Sequence, residues 1–156
     1  MKSLLLFAGL LCLQPTLFAN SVVSSDKIRN SRLSASDREQ EHFKTHFSDA
    51  QDPIWYNQGT ENTYCIFHSG DITNRVFYDG RGSWKYTLKS YAPADLKPEV
   101  KDLIMNRFGN YAISYVNEVQ SDANGPVYVI NLENADSIMV VQVAGDDIQI
   151  SQALTK

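Results

Sequence analysis

Val76-Phe77-Tyr78-Asp79-Gly80-Arg81-Gly82-Ser83-Trp84-Lys85-Tyr86-Thr87-Leu88 is the stretch whose reading decides the fold. Aromatic and β-branched residues flank Asp-Gly-Arg-Gly, so it reads as strand, tight turn, strand. The residues before it complete one small unit, and most of the residues after it look like a second copy of that unit. The stretch specifies an architecture and carries no chemistry of its own.

Working outward, Ile54-Trp55-Tyr56, Thr63 to His68, Ile72 to Tyr78 and Ser83 to Tyr91 form a series of four strands with polar or Gly-containing turns between them. Asp79 in its Gly-rich turn invites a calcium hypothesis. Calcium takes six to eight oxygens, and Asp79 is the turn's one carboxylate, so a turn-forming role is expected. Upstream, Ser36-Asp37-Arg38-Glu39 is a capping box that starts a helix running to about Phe47. Phe43 and Phe47 share one face of that helix, as do His42 and His46. The histidine spacing also suits two metal ligands, but no third ligand is evident, so two solvated histidines are expected.

Downstream, Pro98 suits a first helical position. Val100, Leu103, Ile104 and Phe108 then make one apolar helical face, which Gly109-Asn110 stops. Strands come next at Ala112 to Gln120, Val127 to Leu132, Ile138 to Val143 and Ile148 to Ala153. Helix-then-four-strands thus occurs twice, over residues 37–92 and 93–156. The expected fold class is α+β: two tandem helix-plus-four-strand units sharing one core, with an antiparallel sheet and both helices on one face.

The chain has 156 residues, 43% of them apolar, and a net charge of −4. Its basic residues are dispersed, which disfavours nucleic-acid binding. Met1 to Ala19 reads as a secretory signal peptide: a positive start, a Leu-rich core too short to span a bilayer, and a small residue at the cut. Leu10-Leu11 before Cys12 lacks the small residues of a lipoprotein site. Residues 20–36 read as a flexible leader. The mature chain keeps one cysteine, Cys65, expected as a buried small hydrophobe. An exported protein, periplasmic or extracellular, without a membrane span is expected.

Phe43-x3-Phe47-x2-Ala50-x4-Trp55, Tyr64-x2-Phe67, Val76-Phe77-Tyr78-Asp79-x2-Gly82-x-Trp84-x-Tyr86 and Leu96-x3-Val100-x3-Ile104-x3-Phe108-x2-Tyr111-x-Ile113 together resemble secreted β-lactamase-inhibitor-like, PepSY-like domains of the Bacteroidetes type. The resemblance covers about Asp37 to Gln152. The second copy departs from it, because Val143-Ala144-Gly145-Asp146 lacks the aromatic-Asp hairpin and the Trp. The resemblance implies a sheet that grips another protein and a non-enzymatic role, inhibiting or regulating an extracytoplasmic enzyme or binding within the envelope.

Alternation in the fourth strand sets Trp84, Tyr86 and Leu88 on one face, expected beneath the helices. It sets Lys85, Thr87 and Lys89 on the other, where Arg75 from the neighbouring strand joins them. Arg75, Lys85, Thr87 and Lys89 are therefore the candidate binding residues, on an open sheet face suited to an acidic protein surface. The sequence carries no phosphate loop, nucleophile elbow or metal cluster, so no catalytic residue, metal or cofactor is assigned. The expected partner is another extracytoplasmic protein. The alternative is an envelope small molecule or glycan, which requires a concave pocket.

Overall fold

Helix α1 (Asp37–His46) starts where the capping box places it. The computed structural model describes residues 35–59, 62–123 and 125–156. The expected signal peptide and all but the last two residues of the expected leader lie outside the described residues. After α1 come strands β1 (Gln51–Gln58), β2 (Asn62–Ser69), β3 (Ile72–Tyr78) and β4 (Trp84–Tyr91). A 3-10 turn (Pro93–Asp95) leads into α2 (Pro98–Arg107), and then come β5 (Ala112–Ser121), β6 (Val127–Glu133), β7 (Ser137–Ala144) and β8 (Asp147–Thr155).

The two tandem units do not exist as such. All eight strands form one antiparallel sheet in the order β1-β2-β3-β4-β5-β6-β7-β8. The seam lies at β4 and β5, which pair without interruption from Tyr86↔Ser121 to Tyr91↔Val116. Two separate four-stranded sheets would each leave an edge of unpaired backbone groups there. Joining the edges satisfies both, and the eight strands form one continuous sheet.

Both helices do lie on one face. Phe43 of α1 packs with Cys65, Phe67, Val76 and Tyr78, and Ile104 and Phe108 pack in a cluster with Val116, Ile130, Leu132, Val141 and Val143. The strand residues among these obey the period-2 alternation that puts every second side chain on the same side. Pro53 falls inside β1 rather than before it. It is tolerated because β1 is an edge strand, where a missing N–H need not cost a ladder bond.

The β3–β4 hairpin carries a bulge. Phe77 pairs with Tyr86, but Tyr78 pairs with Trp84, leaving Lys85 as an extra residue on β4. An extra residue reverses the facing of everything beyond it. Trp84 therefore lies on the helix side with Tyr78 and bonds Thr87 through its indole N–H (3.0 Å). Tyr86 and Leu88, which pair with Phe77 and Arg75, lie on the open side.

Glu39 anchors α1 to the sheet. Its carboxylate is buried and accepts hydrogen bonds from Ser36 N (2.7 Å), Ser36 Oγ (2.9 Å) and Thr63 Oγ1 of β2. The β3–β4 turn presses on the same spot. Asp79 Oδ1 accepts from the backbone N–H groups of Arg81 (3.0 Å) and Ser83 (2.9 Å), the Asx-type turn chemistry expected of it. Gly82 has φ +72°, and a Cβ there would stand 2.9 Å from Ser36 Oγ.

Gly82→Ala therefore strains the backbone and also pushes Ser36 out of its capping position, a loss of about 1 kcal/mol. Gly145, φ +59°, has open space around it, so Gly145→Ala carries the backbone strain alone. Chemical denaturation of both variants should show Gly82→Ala the more destabilising by about 1 kcal/mol. Equal losses would mean that the turn does not bear on the cap.

Candidate functional site

Two surfaces hold the chemistry: the open face of the sheet, and a cleft beside α1 on the other face. On the open face, directly paired residues of β1 to β4 stack as a ladder of four rings. Tyr56 lies on Tyr64 (centroids 5.0 Å apart, planes 14°), Tyr64 on Phe77 (5.4 Å, 24°) and Phe77 on Tyr86 (4.4 Å, 23°). The spacing derives from the separation of neighbouring strands, about 4.7–4.9 Å. Offset-stacked rings at such distances attract one another beyond their area burial. Burial within the ladder pushes the Tyr86 phenol above its usual pKa.

The next rung along the strands is Ile54, Ile66, Arg75 and Leu88. Ile54 is 52% exposed, and Arg75 is exposed too. Beyond it the face turns polar: Thr73 and His68 share a hydrogen bond, and Ser90 Oγ donates to Asn117 Oδ1 (2.7 Å). A shallow hollow of about 550 Å³ lies at the ladder, lined by Tyr64, Ile66, Arg75, Phe77 and the β1 end.

Of the four residues expected on this face, only Arg75 stands among the ladder residues. Lys85 is the exposed residue of the bulge. Thr87, 1% exposed, and Lys89 face the helix side, where Thr87 pairs with Val76 and Lys89 with Asn74. Strict alternation counted from Trp84 does not register the bulge, so it inverts the faces for Tyr86 to Lys89. The ladder escapes sequence reasoning for the same reason, although Tyr64, Phe77 and Tyr86 stand at matching positions in three adjacent strands.

The helix-side cleft encloses about 860 Å³, and Thr87 and Lys89 line it together with His42, His46, Trp84 and Gln120. His42 is not the solvated residue expected. Its ring is half-buried and stacks on His46 (4.2 Å) and Trp84 (5.9 Å), and Nδ1 shares a 3.0 Å hydrogen bond with Tyr78 Oη. His46 Nδ1 bonds the His42 carbonyl (2.9 Å). Among the described residues no group of three or more His, Cys, Asp or Glu side chains is placed to hold a metal. Cys65 is fully buried, and burial pushes its thiol up to about 12, which keeps it out of the thiolate form.

No protein-family model matches the chain, and no curated protein matches it in sequence. Solved structures do match. A BLIP-like protein from Bacteroides fragilis superposes with a TM-score of 0.63 at 15% identity, covering 80% of this chain and 89% of that one. The fold is that of the BLIP-like proteins of Bacteroides. A DUF2874 family protein from Bacteroides ovatus gives a TM-score of 0.61 at 17% identity, over 79% of this chain and 89% of its own. A Bacteroides eggerthii protein with a provisional periplasmic description gives 0.60 at 16%, over 79% and 90%. The resemblance read from the aromatic hairpin and the Val/Ile/Phe helix is thus a shared fold. At these identities the BLIP-like fold alone is common ground.

The His42 environment has a pH signature. Burial, then the neighbouring His46, lower its pKa below the ordinary 6.5, while Asp122 works in the opposite direction. A depressed folded-state pKa means that the unfolded chain binds the proton more readily. Stability is therefore full above about pH 6.5 and is lost as pH falls from there towards the folded pKa. Denaturation midpoints taken between about pH 7.5 and pH 6 should fall with pH, and less steeply in His42→Gln. An identical slope in the variant would remove His42 as the cause.

Proposed function

We propose that this protein is an exported, non-enzymatic binding module that engages another extracytoplasmic protein, an enzyme it inhibits or regulates, through the open sheet face. The observation that carries this reading is the Tyr56–Tyr64–Phe77–Tyr86 ladder beside Arg75. Tyr and Arg are the residue types enriched at binding hot spots. Rings pre-stacked on a sheet give up little conformational entropy when a partner covers them. The Leu-rich amino-terminal segment and the provisional periplasmic description of the B. eggerthii relative support export. The BLIP-like description of the B. fragilis relative supports a protein partner.

The test is capture from the envelope and secreted fractions of the source organism on immobilised protein. The expected result is a stoichiometric partner retained by the parent and by Lys89→Glu, which alters the opposite face. Arg75→Glu and Tyr64→Ser, melting as the parent does, should each weaken capture by tenfold or more, about 1.4 kcal/mol or above. Capture that survives both open-face changes would overturn the assignment to this face.

A further inference from the structure

The sheet floor between the two helices is polar where a stability-driven fold would be apolar. Asn74, Lys89 and Glu118 are direct neighbours across β3, β4 and β5, and Thr87 pairs with Gln120 one step along. This strip separates the apolar cluster under α1 from the cluster under α2. Apolar residues here would merge the two and add about 25 cal/mol of stabilisation per Å² buried. The strip forgoes that gain. It is also internally ordered: Glu118, buried, accepts from Tyr91 Oη (2.7 Å) and Gln120 Nε2 (2.5 Å). Among the described residues Lys89 forms no ion pair, although Glu118 stands directly across from it.

Three features of the cleft above this strip define an occupant. Its charges balance, with Arg38 and Lys89 set against Asp49 and Asp122, so it selects for no net charge. Its wall is aromatic, with Trp84 and His42 stacked. Its floor offers the Gln120 amide and the Lys89 ammonium rather than backbone, because β3, β4 and β5 are each paired on both sides. A peptide has no free strand edge to join here. A volume of about 860 Å³ lies within the usual range for small-molecule sites. From Trp84 to Lys89 the floor runs roughly 15 Å at about 3.3 Å per residue.

We propose that the cleft beside α1 is a saccharide site that takes an uncharged di- or trisaccharide laid along β4. A pyranose would set its C–H face against the aromatic wall and its hydroxyls on Lys89 and Gln120. The site lies on the sheet face opposite the aromatic ladder, so it stands or falls separately from protein binding there.

The indole N–H signals of the two tryptophans provide the readout. Trp84 lines the cleft, whereas Trp55 packs on Phe43 and Tyr78 under α1. The purified protein is titrated with maltotriose, cellotriose, mannotriose, triacetylchitotriose and, for comparison, trialanine. At least one saccharide should shift the Trp84 signal saturably with a dissociation constant of about 1 mM or tighter, leaving Trp55 in place. Lys89→Met, at an unchanged melting temperature, and Gln120→Leu should each weaken that binding by about tenfold. The proposal is overturned if no saccharide saturates the signal, if trialanine alone does, or if both variants bind as the parent does.

Discussion

The pairing of β4 with β5 is the constraint on which the rest of this molecule depends. Each half of the chain brings a helix and four strands, and each alone would bury one helix face on a small sheet. Because Tyr86 to Tyr91 lie against Ser121 to Val116, the halves become one sheet with one open face and one helix-bearing face. The two candidate surfaces lie on those two faces. The ladder occupies the amino-terminal half of the open face. The polar strip straddles the seam itself, since Lys89 and Glu118 face each other across it.

The helices and strands were legible to within a few residues because their signals are local. Ser36 and Glu39 mark the start of α1, Pro98 marks the start of α2, and glycines punctuate the hairpins. The common placement of the helices follows the general rule that an antiparallel sheet covers one face, and Phe43 and Ile104 pack on the same side. What was not legible was any property fixed by pairing between distant segments. A repeat in sequence predicts two like units. Whether they close separately or join is decided by edges that meet only in three dimensions.

The face assignment failed for a related reason. Alternation is a reliable guide only within an unbroken strand, and the bulge at Lys85 breaks β4 one residue after it begins. Counting from Trp84 therefore sends Thr87 and Lys89 to the wrong side. Counting from the far end, where Tyr91 and Thr87 are buried together, gives the right one. His42 was misplaced for the opposite reason. Its helix looks polar by composition, and only the arrival of Trp84 and Tyr78 from the hairpin turns that polar face into an interior one.

The strictly sequential strand order has a kinetic consequence. Every strand pairs with the one made just before it, so nearly all loop closures are short and entropically cheap. The exception is the excursion from β4 through α2 to β5. A chain emerging from its amino-terminal end can therefore assemble α1 and the first four strands before the remainder exists. The edge of β4 then serves as the template on which the second half grows. Such a meander has low contact order for a β-rich protein, which shortens the time that unpaired edges stand open to other chains.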